Sequence, residues 1–361
     1  MHIPDGYLSP ITCAALYGGA APFWYVALRR IRKALHTRLV PRLSLFSAFC
    51  FVIMMFNLPL PGGTTGHAVG VGLAPVVLGP WGAMLSLSIA LVIQALFFGD
   101  GGITAIGANC FNMAIVGSLV SYGVYRAIAG RSPLVSGRRV VAAGIAGYVA
   151  INAAAFCAAI EFGIQPMLYR DAAGAPLYCP YPLSIAVPAM MIGHLTVAGL
   201  AELFVSAGVV GFLQRSDLSL LRDASGVPAS VTDEEPATAG KVMRPLWVAL
   251  GALMILTPLG ILAGGAAWGE WLASEYADPA ARQQIAASSL HQAPPGLPPK
   301  GLERLSSVWT APFAQYAPPY VRSRAFGYLL SAMFGVGLVL LGSLAAGRFL
   351  RGRAREEAAG S

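Results

Sequence analysis

The apolar runs of this sequence are longer than the loop spacing of a water-soluble fold allows. About 20 apolar residues cross the hydrocarbon core of a bilayer as a helix. Residues 11–28, 43–60, 81–98, 105–127, 139–163, 183–213, 245–268 and 326–347 approach or exceed that length. A further run, Ala68–Gly79, is short, interrupted by Pro75, and set off from the next by Gly79-Pro80-Trp81-Gly82. The count is nine spans with an irregular third. Non-helical backbone is tolerated at membrane depth only where protein or a cavity surrounds it, so residues 62–80 stand out before any motif is considered. Only 11% of the residues are charged, against about a quarter in a soluble domain. A soluble enzyme, a disordered scaffold and a nucleic-acid module are therefore disfavoured. The expected fold is all-α: a polytopic membrane helical bundle of about nine transmembrane spans.

The net charge of +8 reads as topology. With the N-terminus outside, eighteen of the 24 basic residues fall on predicted inside segments, in clusters such as Arg29–Lys33, Arg138-Arg139 and Arg348–Arg355. Positive-inside bias sets orientation, and nine spans leave the C-terminus cytoplasmic. The N-terminus has no basic n-region and no small-residue cleavage site, so no removable leader is expected. Residues 1–213 read as a compact seven-span block. Residues 214–243 have linker composition, with Ser, Pro, Ala and the acidic triplet Asp233–Glu235. Residues 244–361 read as a two-span hairpin whose outer loop, 269–325, is rich in Pro and Ala. The five cysteines form no CxxC pair and sit mostly in apolar runs, so redox chemistry is not indicated.

The chain's chemistry rests on a few polar residues. Its lysines, Lys33, Lys241 and Lys300, stand in no Gly-Lys-Ser/Thr motif, so no nucleotide site is expected and ATP-driven work would fall to a partner. His36, in the basic loop, and His291, in the Pro-rich loop, read as solvated. His2 follows Met1, and a bulky second residue should leave that methionine uncleaved with a free α-amine. Amine, amide nitrogen and imidazole can then close adjoining chelate rings on one metal, a nitrogen-rich set that suits Ni(II) or Cu(II), with imidazole also suiting Co(II) and Zn(II). The amine must lose its proton to bind, so affinity should rise with pH. A frayed terminus is the plainer reading of the dipeptide.

His67 stands in PGGTTGHAVGVG at the mouth of the irregular span, and an ionisable residue there is a functional candidate. Gly99-Asp100-Gly101-Gly102 reads as a tight outer turn in which Asp100 caps the next span. Asn109 and Asn112, one helical turn apart, can both face the bundle interior, where they would hydrogen-bond between helices or support a metal ligand. His194 and Glu202 lie eight residues apart on one span, a spacing open to a proton pathway or to separate structural roles. Glu161 is expected at the interface.

Taken together, MHIPDGYLSP at the start, GTTGHAVG at Gly63–Gly70 and GDGGITAIGANCFNMA at Gly99–Ala114 resemble the CbiM/NikM substrate-binding component of energy-coupling-factor cobalt and nickel importers. The resemblance covers about residues 1–213. It implies a Co2+ or Ni2+ cargo held by the Met1 amine, the His2 amide and imidazole nitrogens, and His67. Thr65, Asn109 and Asn112 would line or support that pocket. The second part is similar to the family's two-span N component, whose outer loop often carries Pro-Asp-Gly-Leu-Glu; here Pro299-Lys300-Gly301-Leu302-Glu303 puts lysine in the acidic position. The partners implied are a T-type transmembrane coupling protein (CbiQ/NikQ-like) and ATPase subunits (CbiO/NikO-like), in the bacterial inner membrane. Two other readings stay open: a stand-alone proton-coupled metal transporter using His194 and Glu202, and a metal-dependent intramembrane enzyme, although no HExxH or paired acidic motif is present.

Overall fold

The computed structural model describes residues 1–33, 39–225 and 239–359. His36 and much of the expected linker lie outside these. Helices α1 (Pro10–Lys33) and α2 (Leu39–Met54) come first, then a two-stranded hairpin, β1 (Leu58–Leu60) and β2 (Thr64–Gly66). Helix α3 (Ala74–Ile93) runs on into a wide π-helical turn, Gln94–Phe98. Next, α4 (Ile106–Asn109) passes through a second π segment into α5 (Gly117–Ala129), followed by α6 (Gly137–Leu168), α7 (Leu183–Gly193), α8 (Gly199–Ser216) and α9 (Ser219–Ser225). The second part contains α10 (Ala239–Leu256), the short loop helices α11 (Pro279–Ser288) and α12 (Lys300–Leu305), and α13 (Arg324–Ala359). Six of the described helices are long and apolar enough to span a bilayer, and the protein is a polytopic helical membrane protein.

The irregular third crossing is visible in how its neighbours pack. Ser86 donates to the Leu43 carbonyl at 3.1 Å, Ser47 meets Ser86 at 2.8 Å, and the Phe51 and Phe98 rings lie 5.3 Å apart. Helix α2 and the body of α3 thus run in the same direction, and two parallel helices need a return crossing between them. Residues 68–79 supply it. They leave the hairpin as irregular chain, gain one helical turn at Ala74, and bring Leu73, Val76 and Val77 against Phe46, Tyr125 and Leu213. At Gly79 the chain reverses with φ +71°, a left-handed value that favours glycine. Pro80 then starts the ascending helix.

A non-helical crossing needs partners for its N–H groups. One side chain provides three. The buried Glu202 carboxylate on α8 accepts from the backbone N–H of Val69 (2.7 Å), Gly70 (3.0 Å) and Gly72 (2.8 Å), and from Ser206 Oγ at 3.2 Å. A side chain at Gly72 would overlap Ser206 and the Gly147 backbone, so close approach to α6 and α8 also requires glycine there. Glu202 therefore holds the segment that begins at His67.

The basic residues Arg126, Arg131, Arg138 and Arg139 gather at one end of the bundle, where Arg139 donates to the Ser132 and Pro133 carbonyls. The hairpin, the 99–105 loop and the N-terminus gather at the other. Helices α10 and α13 pack on α2, Tyr328 donates to the Met55 carbonyl at 2.9 Å, and one contiguous core joins residues of both parts. Within the stretch expected as linker, Ser219–Ser225 is helical, with Leu220 and Leu221 fully buried under α3; two adjacent leucines have more to gain from burial than from solvent.

Removing the Glu202 carboxylate would leave three buried N–H groups unpaired, each costing about 1–3 kcal/mol. Glu202→Ala is expected to destabilise the detergent-solubilised chain by about 3 kcal/mol or more, and Ser206→Ala by about 1 kcal/mol, measured by thermal or denaturant unfolding. Equal small effects would contradict this role.

Candidate metal centre

The first nine residues thread into the bundle instead of fraying. Met1 is 4% exposed and His2 1%. Alternate residues are tied down. Ile3 donates its N–H to Asn109 Oδ1 (2.8 Å), and its carbonyl accepts from Asn109 Nδ2 (3.1 Å) and from the Gly102 N–H (2.8 Å). Asp5 accepts from the N–H groups of Ile103 (3.1 Å) and Thr104 (2.8 Å) and from the Thr104 hydroxyl. Tyr7 donates to the Trp271 carbonyl (2.8 Å), and its own carbonyl accepts from Cys179 N–H (3.0 Å). The Ser9 N–H donates to Gln165 Oε1 at 3.0 Å. The 99–105 loop comes so close that a Cβ at Gly102 would lie 2.2 Å from the Asp5 nitrogen.

This threading puts the His2 ring beside His67, with ring centroids 5.1 Å apart and planes tilted by 33°. His67 Nδ1 pairs with the Ala68 carbonyl at 3.0 Å. The carbonyl can only accept, so Nδ1 carries the proton and Nε2 keeps its lone pair. Burial, reinforced by His2 and the terminal ammonium, pushes the His67 pKa down to about 3. Neither nitrogen of the buried His2 ring has a hydrogen-bond partner. Asp100 Oδ1 lies 3.0 Å from His2 Nδ1, an ion-pair distance without hydrogen-bond alignment. Nε2 is thus buried without any polar partner, while Nδ1 faces the Asp100 carboxylate. The Met1 nitrogen is 3.2 Å from Glu270 Oε1, a carboxylate on the loop of the second part. Among the described residues, no three His, Cys, Asp or Glu side chains gather as a metal-holding group. A metal here would draw on main-chain nitrogen as well, such as that at the Met1-His2 terminus.

Beside these groups opens a cavity of about 770 Å³, lined by Asp5, Asp100, His67, Glu270 and Glu275 and by one cation, Arg324. The carboxylates give it a local field opposite to the net charge of the chain, and such clefts concentrate cations. Burial alone would raise the Asp100 pKa, but the His2 ring beside it holds the carboxyl below the usual range.

A scan against protein-family models matches residues 2–220 to the CbiM family, described as the cobalt uptake substrate-specific transmembrane region. The chain belongs to the CbiM family. The match extends into the second part: the whole chain is 52% identical over 342 residues to the fused nickel transport protein NikMN of Rhodobacter capsulatus, covering 95% of this chain and 96% of that one. It is 41% identical to the probable fused nickel transport protein LarMN of Lactiplantibacillus plantarum, over 94% of this chain and 96% of that one. A solved structure described as a truncated transition metal transporter shares 51% identity at a TM-score of 0.56, covering 60% of this chain and 99% of its own. The chain is thus a CbiM/NikM-type fusion.

The structure also places the remaining candidates of this CbiM-family chain. Thr65 lies in the hairpin, where its N–H donates to the Ala266 carbonyl of the second part (3.2 Å), and it lines the cavity. Asn109 holds Ile3. Asn112 faces elsewhere and donates to Glu161 Oε2 at 2.8 Å. Glu161 is buried, not interfacial, because α6 carries it into the bundle beside that amide. His194 and Glu202 have separate partners: His194 Nδ1 pairs with the Met190 carbonyl at 2.8 Å, and Glu202 holds the third crossing. Asp100 does not cap the following helix. Ala105 precedes α4 without a side-chain cap, and Asp5 takes the N–H groups ahead of it. Lys300 donates to Asp171 at 2.8 Å and ties α12 to the 169–176 loop. Asp5 lies within the MHIPDGYLSP motif, whereas Glu270 and Tyr316 reach the site without a motif; the one sequence signal at Glu270 is scarcity, since the chain has only 16 Asp and Glu.

Loss of the Asn109 clamp should free the terminus. In Asn109→Ala, an amine-reactive reagent should label the Met1 nitrogen on the order of tenfold faster than in the unmodified chain, as about 1–2 kcal/mol of lost restraint implies. Mass spectrometry of the N-terminal peptide reads the rate; equal rates would contradict the clamp.

Proposed function

We propose that this chain is the metal-capture subunit of an energy-coupling-factor importer, taking Co(II) or Ni(II) from the outer side of the bacterial inner membrane. The observation that carries the reading is the buried Met1-His2 terminus, with the His2 ring packed beside His67 and no hydrogen bond to either ring nitrogen. In the proposed chelate, the Met1 amine and the His2 amide nitrogen close a five-membered ring, and the amide and His2 Nδ1 close a six-membered one. His67 Nε2 completes four nitrogens, which favours a planar site and metals toward the nickel end of the series. The family description, the NikMN and LarMN relatives and the transition-metal transporter structure agree with this cargo class.

In this reading the site end faces outward and the basic end faces the cytoplasm, following the positive-inside rule. A T-type transmembrane protein and ATPase subunits supply the energy. The seven-span block holds the cargo, and the two-span part closes over it with its outer loop.

The test is equilibrium competition titration of the purified full chain with nickel and cobalt. His67→Ala, or a single residue added ahead of Met1, is expected to abolish high-affinity binding, because each removes a nitrogen from the set. Undiminished binding in both would refute the site. Affinity of the unmodified chain should rise between pH 6 and pH 8, since the amine and amide must lose protons to bind. His67, already neutral over that range, contributes nothing to the slope. A flat profile would contradict amine ligation.

A further inference from the structure

Two carboxylate oxygens stand beside the two ends of the proposed chelate. Asp100 Oδ1 is 3.0 Å from His2 Nδ1, and Glu270 Oε1 is 3.2 Å from the Met1 nitrogen. Two donors about 2.1 Å from one metal at right angles to each other are themselves about 3.0 Å apart. Each oxygen–nitrogen pair therefore already has the spacing of adjacent ligands on one cation. The Met1 ammonium donates to Glu270 Oε1, and His2 Nδ1 forms an ion pair with Asp100 Oδ1, so each carboxylate already sits on a nitrogen that the proposed chelate would use. Asp100 and Glu270 also line the cavity through which a hydrated ion would arrive.

Asp100 is held in this pose from the second part of the chain. Its other oxygen, Oδ2, accepts from the Tyr316 hydroxyl at 2.6 Å and from Gln94 Nε2 at 3.3 Å. Tyr316 is itself fixed: its ring stacks on Phe98 at 4.8 Å and 20°, its carbonyl accepts from Ser331 Oγ at 3.1 Å, and its hydroxyl also accepts from Gln94 at 3.0 Å. Gln315 and Tyr316 have φ of +53° and +58° without being glycine. Such backbone persists only where the surroundings over-determine it. The Tyr316 hydroxyl thus holds one Asp100 oxygen, and the other faces His2.

We infer that Asp100 Oδ1 and Glu270 Oε1 are transfer ligands, which receive the hydrated divalent cation from the cavity and pass it to the nitrogen chelate, with Tyr316 as the positioning residue for Asp100. A cation on Asp100 Oδ1 is already within ligand distance of His2 Nδ1, so it exchanges a carboxylate for an imidazole without leaving the site. The inference rests on the proposed capture function, and concerns how fast the chelate forms, not which atoms hold the metal at the end.

The test is stopped-flow mixing of the full chain with Ni(II), following the visible absorption of the planar nitrogen chelate. Tyr316→Phe keeps the ring, its stacking and the charge of Asp100, and removes only the hydroxyl. It is expected to slow chelate formation about tenfold, the scale of a lost supporting hydrogen bond at a metal site, while the final spectrum stays as in the unmodified chain. Asp100→Asn should slow it at least as much, and the double variant no further than Asp100→Asn, since both act through one oxygen. Glu270→Gln should slow it independently. Lys300→Gln, on the same loop but paired with Asp171, should load at the normal rate. Normal loading by Tyr316→Phe would overturn the inference, as would fully additive slowing in the double variant. If the unmodified chain forms no chelate at all, the capture function fails, and this inference with it.

Discussion

A chain terminus buried at the end of a membrane bundle is the constraint on which the site depends. A terminus has few bonds of its own, and left alone it would fray in solvent. Here Asn109 and Gly102 take both polar groups of Ile3, Asp5 takes the start of the next loop, and Tyr7 and Ser9 reach α6 and the second part. Those bonds turn the nitrogen atoms of Met1 and His2 into fixed points of the fold. Without them His67 would be a histidine at the head of an irregular segment.

The partner histidine depends on a similar solution. A crossing that is not helical has no internal partners for its N–H groups, so Glu202 supplies them from α8. The terminus is therefore pinned by an amide from one helix, and the His67 segment by a carboxylate from another. Both ties are buried, where an unmade hydrogen bond is most costly. The π-helical turn at Gln94–Phe98 adjoins the site, where Gln94 donates to Asp100; a second, at Cys110–Val116, carries Asn112 to Glu161. Such turns recur at functional positions.

The architecture was largely legible because burial in a bilayer writes itself into long apolar runs, and the odd third crossing was marked by its length, its glycines and Pro75. The His2 and His67 candidates were legible because each sits in an unusual local context. What the sequence hid were contacts made across hundreds of residues. Asp100 read as a cap because Gly-Asp-Gly-Gly is turn composition, yet its oxygens are claimed by His2 and by Tyr316, which lies more than two hundred residues further along. Glu161 read as interfacial from its place near a helix end, but α6 continues to Leu168 and keeps it inside. Glu270 and Tyr316 lie in a Pro- and Ala-rich loop with no periodicity to place them, and only the docking of α10 and α13 on α2 brings them to the site. Resemblance supplied the meaning of the terminal dipeptide, which the residues alone left as a frayed end.

The proposed cargo ligands are four nitrogens, two of them from the main chain at the start of the polypeptide. X-ray absorption at the nickel edge of the loaded, full-length protein tests this most directly. The account predicts a four-coordinate planar shell of nitrogen donors, with the outer-shell scattering of two imidazoles. A six-coordinate, oxygen-rich shell, or sulfur in the first shell, would contradict it.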